Sequence, residues 1–295
     1  MPELPEVETI KRGLSDKIVG KEITDIDILW FKSFQGEKGN VIDTKVEDIY
    51  RRAKVIQIKL SNGLNMLFHL KLTGQLIHEH SVRNKEVIDF AGGHPSHDWH
   101  AKLPNSDTRI IFTFDDGSKL FFNDMRKFGW CKVLTDDQIA AIYKKDYGLE
   151  PLSASGQDNP NFNVNYLLSK AKNIPNRNIK QFVMDQTIAA GMGNIYTDEA
   201  LFDAKLLPTR KVKDISMSEW RDLIISMQKV LKLGIKYGGT TDSDYVNVDG
   251  KKGGMQDYLK VYHRTGLPCS GNCGGVVKRI SIGGRGTHYC EKCQN

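Results

Sequence analysis

Two groups of residues in this chain could do chemistry, and they sit at its two ends. The chain opens Met1-Pro2-Glu3-Leu4-Pro5-Glu6. An initiator methionine ahead of a small residue is ordinarily trimmed, which would leave Pro2 as a free secondary amine beside the Glu3 carboxylate. An α-amino group titrates near ~7.7–8.0 against ~10.4 for a lysine, so about a tenth of it is neutral at pH 7. Such an amine can attack a sugar carbon or a carbonyl and form an imine. The competing reading is structural: Pro2 and Pro5 only open a helix, where a missing N–H costs nothing. At the other end Cys269-x3-Cys273 and Cys290-x2-Cys293 flank residues 274–289, with Gly271, Gly274 and Gly275 around the first pair. Four clustered cysteines in a reducing compartment read as a metal site before they read as disulfides. Two knuckles of two thiolates suit one tetrahedral zinc with no open position, hence a structural metal. Cys131 stands apart, in a strand-like run, as an ordinary buried thiol.

Weaker signals lie between. Gln186 to Tyr196 puts glycines and Asn194 immediately before a helix, where backbone N–H groups can meet an anion; Asn194 is also plain capping. Lys278, Arg279 and Arg285 near the tip of the cysteine hairpin could grip phosphate, or Arg285 could be a solvated turn residue. Arg51-Arg52-Ala53-Lys54, His69 with Lys71, and Asn123 to Gly129 are basic stretches at strand ends, where solvated edges are common. His94, His97 and His100 invite a metal, but in a Gly/Pro-flanked polar stretch between Gln75 and Arg109 they read as a surface insertion.

The elements that must position these residues follow from periodicity. Val7, Ile10, Leu14 and Ile18 fall at helical spacing, with Gly20 as a stop, so a helix from Glu3 to Ile18 would mount Pro2 and Glu3. Alternating runs at Ile23–Trp30, Val55–Leu60, Leu64–Leu70, Arg109–Phe114, Lys119–Phe122 and Trp130–Leu134 predict a β-sandwich or barrel, with Asn62-Gly63 and Asp116-Gly117 as turns. A Thr135/Gln138 capping box opens a helix to about Lys145, and Tyr147 to Pro160 reads as a linker. Helical periodicity then covers Val164–Lys172, Asn178–Met184, Ile195–Phe202 and Ser216–Tyr237, the last with a Ser216/Glu219 box and a Gly238-Gly239 stop. Val276–Ile282 and Gly286–Tyr289 predict two strands joined by Gly283-Gly284-Arg285.

At 295 residues two domains are expected, and 39% hydrophobic with 26% charged residues is a soluble globular composition. A net charge of +6 tolerates a polyanionic partner. No apolar run approaches the roughly 18 residues a membrane span needs, and no signal peptide is legible, so a cytoplasmic protein without a membrane partner is expected.

Taken together, Pro2-Glu3-Leu4-Pro5-Glu6-Val7-Glu8, Arg51-Arg52-Ala53-Lys54, His69-Leu70-x-x-x-Gly74, Arg126-Lys127-Phe128-Gly129, Gly193-Asn194-Ile195-Tyr196, Gly238-Gly239-Thr240-Thr241 and the four-cysteine tail resemble the formamidopyrimidine-DNA glycosylase family. The resemblance runs in order over nearly the whole chain. It implies an α+β fold: an N-terminal β-sandwich domain with its helix (1–146), a linker (147–160), a helix-two-turn-helix domain (161–240), a lesion-recognition loop region (241–261) and a zinc finger (262–295). It implies a monomer that clasps double-stranded DNA, removes oxidised purines such as 8-oxoguanine and formamidopyrimidines, and cuts the abasic strand by β,δ-elimination. By position, Pro2 would attack C1′ of the damaged nucleotide and Glu3 would protonate the opening sugar. Lys54, Asn194 and Arg285 would hold phosphates, and Glu6 would support the N-terminal site. His69, Tyr262 and Arg264 would contact DNA, and Lys180 would be a further DNA-facing lysine. A flipped base leaves a gap in the stack; Leu72, Arg126 and Phe128 occupy the filling positions, with Leu72 where relatives carry Met. The first cysteine knuckle is one residue longer than the family's usual one. The sister endonuclease VIII-like activity on oxidised pyrimidines usually lacks the Arg126-x-Phe128 pairing. A silent lesion-binding protein would leave Pro2, Glu3 and Lys54 without a use, and a proline tautomerase would explain neither the cysteines nor the helices.

Overall fold

The computed structural model describes residues 1–82, 85–93, 102–240 and 254–295. His94, His97 and His100, and all of the expected lesion loop up to residue 253, lie outside the described residues. The chain divides into two compact units, one of Met1–Ile142 with the described ends of Tyr237–Gly254, the other of Tyr143–Lys236 with Met255–Asn295.

In the first unit α1 (Leu4–Ile18) forms where the apolar spacing places it, and Val7, Ile10, Leu14 and Ile18 are all fully buried. Ten strands follow: β1 (Glu22–Ile28), β2 (Phe34–Gln35), β3 (Thr44–Arg52), β4 (Val55–Leu60), β5 (Leu64–His69), β6 (Gly74–Val82), β7 (Lys85–Gly93), β8 (Thr108–Phe114), β9 (Lys119–Asp124) and β10 (Trp130–Thr135). They run β2-β10-β5-β4-β3-β1-β8-β9-β6-β7, antiparallel except for β2 with β10. The two halves of this order join at the short β1–β3 pairing, Glu22 to Lys45 and Ile23 to Thr44. They also face each other as a sandwich, because Phe68 of β5 meets Phe112 of β8 and Phe122 of β9 edge-on at 5.9 and 5.8 Å. Edge-on aromatic contact at this separation suits the ring quadrupoles.

Four strands lie outside the runs expected from the sequence, the two-residue β2 among them. β3 carries five charged residues, Lys45, Glu47, Asp48, Arg51 and Arg52, which mask its alternation. β6 and β7 pair as a hairpin inside the stretch that reads as a surface insertion. Glu79, His80, Glu86 and Asp89 dilute their apolar pattern, yet Leu76, Ile77, Phe90 and Ala91 are buried.

In the second unit α2 (Asp136–Asp146), which begins at the end of the first, leads to α3 (Val164–Ala171), α4 (Ile179–Met184), α5 (Asn194–Asp203) and α6 (Met217–Lys236). Both capping boxes form: Thr135 N–H donates to Gln138 and Gln138 N–H to Thr135 Oγ1, and Ser216 pairs with Glu219 in the same way. The stretch 147–160 is folded, not free: Leu149 bridges Ala189, and Leu152 bridges Asp158. β11 (Lys278–Ile282) and β12 (Arg285–Tyr289) close the chain as a hairpin. Its turn is Gly283-Gly284 alone, with φ of +57° and +74°, the left-handed pair a two-residue hairpin requires. Arg285 therefore belongs to the strand, opposite Ile282.

Candidate nucleic-acid processing site

In the first unit the chemistry-bearing residues sit at strand ends and at the start of α1. Pro2 is buried, and Glu3, 3% exposed, is the N-cap of α1. The Glu3 N–H donates to Glu6 Oε2 at 2.9 Å. The other Glu6 oxygen accepts from Thr240 N–H at 2.7 Å and its hydroxyl at 3.0 Å. Glu6 thus ties the first residues to the segment beyond α6. Gly239 permits the approach: a Cβ there would lie 2.8 Å from Glu6 Oε1, and its φ is +82°.

Lys54, 5% exposed, is the second residue of the two-residue turn between β3 and β4. His69, at the end of β5, pairs with Val55 immediately beyond it. Burial, with Lys71 and Lys54 adding to it, pushes the His69 imidazole down to about 3. Its Nδ1 accepts the Lys71 N–H at 3.0 Å, so the neutral ring carries its proton on Nε2 as a donor.

Leu72 and the pair Arg126 and Phe128 stand on two turns held by one buried carboxylate. Asp124 Oδ1 accepts the Thr73 hydroxyl and, at 3.2 Å, the Arg126 N–H; Oδ2 accepts the Gly129 N–H at 2.6 Å. The Thr73 oxygen also accepts the Arg126 N–H at 3.0 Å, so the two turns are stapled together. Arg126 is exposed, and Phe128 is 58% exposed at the tip. Thr73 is not singled out in the sequence and Asp124 enters only within the basic stretch Asn123 to Gly129; the available signal is a carboxylate two residues past the apolar run Leu120-Phe121-Phe122.

In the second unit the polar candidates meet around one carbonyl. Asn194 Nδ2 and Lys180 Nζ both donate to Gly286 C=O, at 3.0 and 3.1 Å. Lys180 also donates to Asp198 Oδ1 at 2.6 Å, and its side chain is 0% exposed. Lys180 is therefore not a DNA-facing lysine: its ammonium is consumed inside the unit, where it fixes β12. Asp198 Oδ2 accepts the His288 N–H at 2.8 Å, and its neighbour Glu199 accepts the N–H groups of Lys260, Val261 and Tyr262 at 2.8, 2.9 and 2.9 Å. Burial raises the Glu199 carboxyl even against these three donors. Tyr262 stacks on His263 at 4.4 Å, and Arg264, half-buried, begins the approach to the cysteine knuckles. The helix cap is Gly193, leaving Asn194 at the first helical position with its amide turned to β12. Arg285 is exposed at the hairpin tip. Asp198 and Glu199 also escape the sequence reading; their signal is two adjacent acids in the middle of a short helix, beside the apolar run Ala200-Leu201-Phe202.

The four cysteines converge. Cys269 and Cys293 sulfurs lie 3.5 Å apart, Cys273 and Cys290 sulfurs 3.6 Å, and all four fall within 4.8 Å of one another. Zinc–sulfur bonds of about 2.3 Å in a tetrahedron need sulfurs roughly 3.8 Å apart, so the set fits zinc. Gly271 and Gly275 N–H groups each donate to a knuckle sulfur at 3.4 Å, which favours thiolates. Asn272, inside the first knuckle, and Gly274, just after it, both lie in the left-handed region. His288 is held by Asp198 and is not a ligand.

His78, His80 and Asp89 form a second group with metal-like spacing, Asp89 being the bulged residue where the pairing slips from Phe90 to Ile88. Lys21 Nζ lies 3.3 Å from His78 Nε2. An ammonium only donates, so Nε2 accepts and Nδ1 carries the hydrogen that points at Asp89 Oδ1, 2.5 Å away. Lys17 occupies the other Asp89 oxygen at 2.9 Å. Protons and cations already fill the place a metal would take.

Comparison with known proteins gives one consistent set of relatives. Residues 1–131 match the formamidopyrimidine-DNA glycosylase N-terminal domain, residues 148–246 the H2TH domain of the same proteins, and residues 266–295 the zinc finger found in FPG and IleRS. The chain is 36% identical over 310 residues to the formamidopyrimidine-DNA glycosylase of Desulforamulus reducens and 34% identical over 300 residues to that of Pelotomaculum thermopropionicum, covering 100% of this chain and 99% of each relative. Among solved structures, Lactococcus lactis Fpg with abasic-site DNA superposes with a TM-score of 0.84 at 30% identity, over 99% of both chains. MutM with DNA containing carbocyclic 8-oxo-G gives 0.83 at 30% identity, over 100% of both.

Proposed function

The chain belongs to the formamidopyrimidine-DNA glycosylase family, and from that premise we propose how its own residues perform the family's reaction. It is a DNA glycosylase that removes oxidised purines from duplex DNA and, as an abasic-site lyase, cuts the strand afterwards. Among the described residues no helix is long and apolar enough to cross a membrane, and we place the enzyme in the cytoplasm with its DNA.

The observation that carries the residue assignment is the anchoring of Glu3 by Glu6 at the head of α1. With Met1 removed, the Pro2 amine attacks C1′ of the damaged nucleotide, the bond to the base breaks, and Glu3 delivers a proton as the sugar ring opens. The resulting iminium makes the adjacent C–H acidic, so elimination expels the phosphate on one side and then the other. Lys54 and the Nε2–H of His69 hold phosphate beside it. Asn194 and Lys180 fix the β12 backbone from which Arg285 reaches a phosphate, and the zinc holds that hairpin in shape. Tyr262 and Arg264 face DNA from the segment that Glu199 ties down. Leu72, Arg126 and Phe128, on their shared staple, fill the gap left by the flipped base and offset an unstacking cost of a few kcal/mol.

Borohydride added during reaction with an 8-oxoguanine duplex should trap a covalent adduct that peptide mapping places on Pro2. An untrapped protein with Met1 retained by mass spectrometry would instead indicate silent lesion binding. Faster excision of thymine glycol opposite A than of 8-oxoguanine opposite C would move the enzyme to the pyrimidine-specific branch.

A further inference from the structure

Resting on the function proposed above, we infer that Glu8 and Arg51 are a positioning pair that aims Lys54 at the reaction from the helix carrying Pro2. Arg51 is the next-to-last residue of β3, and its side chain is only 3% exposed. Its Nε–H donates to Glu8 Oε2 at 3.0 Å, and its Nη1–H donates to Ala53 C=O at 3.0 Å. One planar guanidinium therefore reaches from α1 to the peptide group that joins Ala53 to Lys54. The orientation of that peptide sets the direction in which the Lys54 side chain leaves the backbone.

The turn needs such a hold. Ala53 has φ of 53° and is fully buried. A Cβ in the left-handed region crowds the neighbouring carbonyl oxygen, so an alanine there persists only when its surroundings impose it. Glu8 is itself fixed: its other oxygen accepts from Arg12 Nε at 2.8 Å, one helical turn on. The carboxylate thus stays on the face of α1 and pulls Arg51 toward the helix.

Stability alone does not call for this pair. A buried ion pair is often no more stabilising than apolar side chains of the same volume. What the guanidinium adds is a planar fork whose Nε–H and Nη1–H meet a carboxylate and a carbonyl in one fixed geometry, which a lysine ammonium on its flexible stem does not reproduce. Glu8 and Arg51 act through Lys54 and touch no reacting atom in this scheme.

The test uses the full-length protein and a duplex with one abasic site. It measures single-turnover borohydride trapping, and separately the Kd for a duplex carrying a tetrahydrofuran abasic analogue. Arg51→Lys should slow trapping roughly 10–100-fold, the scale of loss when a catalytic group is misplaced by about 1 Å, with Kd unchanged within about threefold. Made together with Lys54→Ala, the same change should cost less than about twofold, because nothing remains to be positioned. A full-size loss in the Lys54→Ala background, or a trapping rate within about twofold of the parent for Arg51→Lys alone, overturns the proposal. Should Arg51→Lys not fold, Glu8→Gln, which keeps shape and volume, carries the same comparison: a slowing that disappears with Lys54→Ala supports the pair, and an unchanged rate overturns it. Failure of the parent itself to trap would strike the proposed function, a result distinct from all of these.

Discussion

In the function proposed above the β-sandwich and the cysteine hairpin both present residues to DNA, but they rest on different forces. In the sandwich, α1 and the facing strands bury a continuous apolar cluster from Val7 to Cys131. The working side chains ride at the ends of elements that this cluster already holds, and single polar groups such as Glu6 and Asp124 only aim them. In residues 266–295 the buried aliphatic side chains are Val277 and Ile282. There the shape comes from four sulfurs, from Asp198 gripping His288, and from Lys180 and Asn194 gripping Gly286. Burial at about 25 cal/mol per Å² scales with area, so a short hairpin has too little of it to stand alone.

Removing zinc should therefore separate the regions most sharply. Chelation, or Cys290→Ala, should unfold the hairpin and abolish tight DNA binding while the sandwich keeps its β-sheet circular dichroism. Apparent zinc-linked folding energies are on the order of 10 kcal/mol. Coincident loss of the sandwich signal would break the contrast. Next in size, Lys180→Met takes the ammonium from Asp198 Oδ1 in a dry site, leaving His288 as the partner of Oδ2, and should cost about 3–5 kcal/mol in urea unfolding of the second unit. A smaller loss would mean that Asp198 finds another partner.

In the sandwich the effects should be milder. Asp124→Asn leaves one of its three donors facing an amide, and should cost about 2–3 kcal/mol. It should also loosen the turns of Leu72 and Phe128, read as weaker fluorescence change of a 2-aminopurine placed beside the lesion. Smallest is the His69 effect. Its folded-state value is about 3 against 6.5 for the free ring. The unfolded chain then binds the extra proton between those values, so stability rises with pH through that window and falls on acidification. Between pH 6.5 and 5 the loss should be about 1–2 kcal/mol, and His69→Gln should flatten it by that amount in urea titrations. An unchanged pH slope in the variant would show that another group is responsible.

Much of the fold was legible because the apolar period is a local property. The helix bearing Val7 to Ile18, the β4 run Val55–Leu60 and the helices of the second unit emerge within a residue or two of their expected ends. β3, β6 and β7 were not, because each puts charge on a half-buried strand, and only pairing with neighbours shows which face is covered. The cysteine cluster was legible from spacing, whereas the burial of Lys180 was not: a lysine reads as a surface charge until the fold brings Asp198 and Gly286 to it.

Sequence by itself determined the family and the four clustered thiols, and it named Pro2 and Glu3 at the chain's start and Leu72, Arg126 and Phe128 as the candidates used in the proposed function. These are matters of residue type and order along the chain. Tertiary structure alone decided what aims them: Glu6 on Thr240, Asp124 beneath two turns, Arg51 between Glu8 and Ala53, and Asp198 between Lys180 and His288. A hydrogen bond between residues tens or hundreds of positions apart leaves no local period in the sequence. Its strength depends on the burial that only folding creates.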